Sequence, residues 1–189
     1  GRPGIRQEIV AGLNYLWRQP LLRATTVASA AAWFGFGIFG TIISLFALKE
    51  LGFEAGPLAM IFAVGGVSSL AGSVVARRVT RTVGLGLAMI LGLLVTGLLL
   101  LPLTIARGHG TLGTVCLLVQ QLGDGAALVF LINEVSLRQT VVVPGLLGRV
   151  NSSTEFLRSI ARLSGVLVAG LAGDVIGLRA TLGLAGVGD

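Results

Sequence analysis

Long stretches of almost uncharged, apolar sequence recur along this chain, and few folds accommodate them. The runs cover residues 24–48, 55–76, 83–106, 111–132 and 154–176. A membrane crossing needs roughly 20 predominantly apolar residues. In hydrocarbon only a helix satisfies its backbone hydrogen bonds within one such segment. A further run, 178–189, is about half that length and is expected to be a helix cut short. Composition agrees: 54% of the residues are hydrophobic and 12% charged, with a mean hydropathy of +0.93, whereas soluble domains carry about 25% charge. So much apolar surface excludes disorder, and a lone cysteine, Cys116, excludes a disulfide scaffold. The expected fold class is all-α, a polytopic membrane helix bundle with five full spans and a truncated sixth.

Two regions follow. Residues 1–23 read as a linker, itself expected to continue a longer chain, and residues 24–189 read as the transmembrane bundle. Within the linker, Ile5, Ile9, Val10, Leu13, Leu16 and Trp17 recur at helical spacing, with Arg6, Gln7, Glu8, Asn14 and Arg18 opposite. An amphipathic helix before Pro20 is expected to lie in the headgroup plane, with Tyr15 and Trp17 at the interface, or else to be an exposed linker helix. If this segment is cytoplasmic, that side holds Arg2, Arg6, Arg18, Arg23, Arg77, Arg78, Arg81, Arg138 and Arg149. The opposite side holds Lys49, Arg107 and Arg179. That asymmetry follows the positive-inside rule and accounts for the net charge of +6 without invoking a nucleic acid.

The polar residues inside the spans carry what chemistry there is. Asp124 is expected about 12 Å inside the cytoplasmic boundary, at 1.5 Å per residue from Ile132. A carboxylate at that depth faces a bundle interior or a wet cavity. Gln120 shares its face and Gln121 adjoins it. Asp124 is read either as a helix-packing hydrogen-bond partner or as a proton acceptor, a counter-charge for cationic cargo or part of a gate. Glu155, Arg158 and Arg162 form one stripe of the fifth span. The depth of Arg162 resembles that of Asp124, and an Asp124–Arg162 pair is expected. Glu155 and Arg158, shallower, read as an interfacial pair. Ala161, Gly165, Ala169 and Gly173 make a small-residue ladder suited to close helix packing. Pro102 should kink the third span near its end. His109 reads as a solvated turn residue. No P-loop, metal-ligand spacing or Ser/His/Asp set is present, so neither a cofactor nor enzymatic chemistry is expected.

Three stretches resemble the second half of major facilitator superfamily transporters, in the drug and siderophore efflux branch that includes enterobactin-exporter-like and macrolide-efflux-like proteins. The first is Glu8-Ile9, Gly12-Leu13, Tyr15-Leu16-Trp17-Arg18 and Pro20-Leu21-Leu22-Arg23, similar to the segment leading into the family's seventh helix. The second is Ser136-Leu137-Arg138-Gln139, Pro144 and Leu147-Gly148-Arg149-Val150-Asn151-Ser152, similar to the loop between helices ten and eleven. The third, Gly177-Leu178-Arg179-Ala180-Thr181-Leu182, resembles the start of helix twelve. The family's loop motif aligns with Gly72, Ala76, Arg77, Val79 and Thr80 but lacks its Asp and second Gly, so Arg77, Arg78 and Arg81 read as topogenic.

The resemblance implies the C-terminal half of a twelve-helix fold in a bacterial plasma membrane, completed by an N-terminal six-helix half of the same chain. It further implies alternating access and proton-coupled efflux of small amphiphilic molecules. Asp124, Gln120, Gln121 and Arg162 become substrate or proton-coupling candidates. Glu155, Arg158, Arg77, Arg78, Arg138 and Arg149 become cytoplasmic gate candidates. Two rivals stay open: the membrane part of an ATP-driven permease, and a non-transporting membrane scaffold or sensor.

Overall fold

A computed structural model describes residues 5–178, 180 and 181. Every regular element among them is a helix: α1 (Ile5–Arg18), α2 (Pro20–Leu45), α3 (Ala55–Val83), α4 (Leu85–Leu100), α5 (Thr111–Val141) and α6 (Leu147–Ile176). Gln19, with extended backbone, separates α1 from α2, and Pro20 opens α2 at a position where its missing N–H costs nothing. A π-helical turn at Phe46–Glu50 prolongs α2, and a 3₁₀ turn at Leu101–Thr104 containing Pro102 ends α4. Pro102 thus lies in a tightened turn at the end of its span.

Five helical stretches are long and apolar enough to cross a membrane: Pro20–Glu50, Ala55–Val83, Leu85–Thr104, Thr111–Val141 and Pro144–Gly173. The chain is thus a multi-pass membrane helix bundle. Its helices overrun the apolar stretches that announce them. The second continues from Ala76 to Val83, the fourth from Ile132 to Val141, and the fifth begins at Leu147 rather than Thr154. A charge ends an apolar run but not a helix, and basic residues such as Arg81 and Arg138 sit favourably in a last turn. Most of the expected truncated sixth span, 182–189, lies outside the described residues.

The helices associate in two groups. α2 packs on α6, and α5 packs on both α3 and α4. Glycines set those contacts, because lipid supplies little hydrophobic drive between helices and close backbone approach supplies packing instead. Gly37 of α2 lies against the backbone of Arg162, and Gly165 of α6 against Phe34. On the other side Gly72 of α3 meets Gly125 of α5, and Ser68 Oγ donates to the Leu122 carbonyl at 3.0 Å. Met60, Val67, Leu70 and Val74 leave one stripe of α3 fully open, the position of lipid-facing side chains. One end of the bundle closes on an apolar cluster that includes Phe46, Leu51, Leu58, Leu103 and Leu117. The opposite end is closed by α1, which packs through Gly12 on Arg149 and Ser153 at the start of α6. Ser153 Oγ donates to the Ile9 carbonyl at 3.1 Å.

Candidate functional site

Near that second end a single carboxylate joins three helices. Glu134 of α5 is 1% exposed. Its Oε1 accepts from Arg138 Nη1 at 2.7 Å, one turn along the same helix. Its Oε2 accepts from Arg158 Nη2 of α6 and from Ser29 Oγ of α2, the latter at 3.2 Å. Ser29 Oγ in turn accepts from Arg158 Nε at 2.9 Å. Arg158 Nη1 reaches Glu155 Oε2 at 3.2 Å, where the Glu155 side chain is 65% exposed. Two buried guanidiniums thus converge on one buried carboxylate, with a second carboxylate at the rim. Such a cluster survives burial only because nearly every donor finds an acceptor; Arg138 Nε, buried without a partner, is the exception.

Ten residues earlier on α5, about 15 Å away along the helix, the environment of Asp124 is different. No hydrogen bond or ion pair joins it among the described residues. It borders a cavity of about 40 Å³ between α2, α4 and α5, lined also by Gly35, Phe36, Thr96 and Gln120. At roughly 10–15 Å³ per water, that space has room for a few water molecules. Gln120 is buried and its Oε1 has no partner. Gln121 Nε2 donates to the Phe62 carbonyl of α3 at 3.0 Å. A side chain at Gly65 of α3 would occupy the space that Asp124 Oδ2 and Gln121 Nε2 fill, so this glycine admits both polar groups between the helices.

The expected Asp124–Arg162 pair does not form. α6 lies on α2, which brings the Arg162 guanidinium carbon 5.8 Å from the centre of the Trp33 ring. α5 instead lies on α3 and α4, with Asp124 against Gly65. Equal depth put the two residues at one level, but helix rotation and neighbour choice turned them apart. Arg158 also approaches Trp33, at 5.9 Å, and Phe36 meets the indole edge-on with ring centres 5.7 Å apart.

Of the candidate gate residues, the structure brings Glu155, Arg158 and Arg138 together. Arg77 and Arg78 stay exposed on the last turns of α3, and no ion pair to Arg149 is formed among the described residues. Glu134 and Ser29 are the participants that the sequence reading missed. Glu134 fell beyond the apparent end of the fourth span, in what read as a loop. Its spacing of four from Arg138 was the available signal, since that pair marks a continuing helix. Ser29 had no local signal. Among the described residues no three His, Cys, Asp or Glu side chains converge to hold a metal.

Compared with family models and with curated proteins, the chain matches none.

Proposed function

We propose that this chain is the C-terminal half of a major-facilitator-type secondary transporter in a bacterial plasma membrane, exporting small amphiphilic molecules in exchange for protons, with its N-terminal segment cytoplasmic. The observation that carries this reading is Asp124: a carboxylate deep in a membrane helix, without an ionic partner among the described residues, bordering a small cavity beside Gln120 and Thr96. Ionisable groups inside membrane segments are costly, and they mark ion and proton pathways when they line a wet space. On this reading Asp124 takes up and releases the coupling proton, while Gln120 and Thr96 keep water beside it. Glu134, Arg138 and Arg158 then act as a latch that holds α2, α5 and α6 together at the cytoplasmic end. Opening that end requires the latch to separate, and a buried ion cluster has two discrete states, made and broken, which suits alternating access.

The test has two stages. The coding sequence flanking this segment should supply about six further apolar spans of roughly 20 residues each; a P-loop domain or no membrane segment there would remove the transporter reading. In proteoliposomes of the full chain, Asp124→Asn should abolish gradient-driven flux and leave substrate binding largely intact. Unchanged gradient-driven flux in that variant would sink the proton role.

A further inference from the structure

A second unpaired charge lies on the other packing group. α6 is 30 residues long, about 45 Å at 1.5 Å per residue, against a hydrocarbon core of about 30 Å. Even if all the excess length projects from the Leu147 end, Arg162 lies about 8 Å inside the hydrocarbon. Its side chain is exposed and has neither an ion pair nor a hydrogen bond among the described residues. It does not stretch toward the membrane surface, because its guanidinium stays beside Trp33, well inside α2.

An exposed arginine at such depth does not face lipid tails. The lipid face of α6 is identifiable separately: Leu163, Leu167 and Leu171, 64%, 70% and 72% exposed, form their own stripe. By helical spacing Arg162 falls on another stripe with Glu155, Ser159 and Val166, so α6 presents two open faces of different chemistry. The face bearing Arg162 therefore borders water, a polar ligand or polar groups of the rest of the full chain.

The charge balance gives that ligand its sign. Arg138, Arg158 and Arg162 supply three positive charges around Trp33 and the buried cluster, while Glu134 and Glu155 supply two negative ones, leaving one positive charge over. Both carboxylates are engaged by Arg138 and Arg158, so neither serves Arg162. The Trp33 Nε1–H is a further donor without an acceptor among the described residues, shielded beneath the surface, so a shift of the ring toward an arriving acceptor forfeits no bond seen there. Donors outnumber acceptors, and an aromatic face adjoins them.

We infer that Arg162 and Trp33 form a binding site for the anionic group of an aromatic or otherwise apolar carboxylate, with Arg162 anchoring the charge and the indole supporting the apolar body. This rests on the transporter reading only in making that anion the cargo; the site itself follows from the placement of Arg162.

Equilibrium binding to the full-length chain in lipid nanodiscs tests it, using three probes of one shape: 2-naphthoate, 2-naphthylmethanol and 2-naphthylmethylammonium. Naphthoate should bind at least about tenfold more tightly than the alcohol, the scale of one hydrogen-bonded charge contact, and the ammonium most weakly. Arg162→Gln should erase the preference while Arg162→Lys retains part of it. Thermal unfolding of both variants, matched to wild type, shows that a lost preference is not lost folding. Equal binding of the three probes, tightest binding of the ammonium, or a preference that persists in Arg162→Gln would overturn the site. Equal binding of the three probes is the result expected if an acidic side chain elsewhere in the full protein neutralises Arg162. Anion preference with no gradient-driven flux would leave the site standing and remove only its role in transport.

Discussion

The two ends of this bundle are closed by opposite means. At one, Phe46, Leu51, Leu58, Leu103 and Leu117 fill the space between helices with apolar side chains. At the other, Glu134 gathers Arg138, Arg158 and Ser29 from three helices. Apolar contacts lose strength gradually as helices separate, whereas an ion cluster in a low-dielectric interior is either satisfied or expensive. The apolar end suits a permanent seal or a hinge, and the ionic end suits a latch. Between them lie Asp124 and Arg162, neither with an ionic partner among the described residues, one on each packing group.

That contrast can be broken most sharply at Glu134. Glu134→Ala leaves two arginines in the interior without their shared acceptor and should destabilise the bundle by about 3–5 kcal/mol, read as unfolding in mild detergent. Adding Arg158→Ala should recover part of the loss; strictly additive effects would argue against one coupled cluster. At the apolar end Phe46→Ala should cost less, about 2 kcal/mol. Lipid solvates an exposed phenyl ring as well as the protein does, so mainly the cavity term remains. If Phe46→Ala proves the more damaging of the two, the apolar seal and not the ionic latch dominates stability.

A smaller effect tests the packing that separates the two unpaired charges. Gly72→Ala places a methyl group against the Gly125 backbone and should cost about 1–3 kcal/mol, whereas Gly66→Ala, with open space around it, should stay within about 0.5 kcal/mol. Equal effects would mean that α3 and α5 do not meet at Gly72. Least of all in stability should be Asp124→Asn, within about 0.5 kcal/mol, because no hydrogen bond or ion pair is lost among the described residues. A large destabilisation there would reclassify Asp124 as a packing residue.

How far the sequence could be read differs between fold and site. Helix positions were largely legible: five apolar runs gave five spans, and Ile5–Arg18 is a helix as its periodicity predicts. Their ends were not, since Arg77 and Asn133 interrupt hydropathy without interrupting backbone hydrogen bonding. Within the site, Glu155 and Arg158 were readable as a pair because three-residue spacing on one helix brings side chains together whatever the rest of the fold does. Arg158 to Glu134, 24 residues apart, and Ser29 to Glu134, 105 apart, were not.

The sequence by itself determined that this chain is a helical membrane bundle and where along it the apolar spans lie. Transfer of apolar side chains into hydrocarbon is a local property that accumulates along a run, and it fixes depth. Which deep charges meet was decided only by the tertiary structure. Depth places two residues at one level but leaves the rotation of each helix and its choice of neighbour free. Here Gly37 and Gly165 draw α6 onto α2, and Gly72 and Gly125 draw α5 onto α3. Those backbone contacts carry Arg162 to Trp33 and Asp124 to Gly65, while the tertiary fold also brings Glu134 to Arg158, which the sequence sets 24 residues apart.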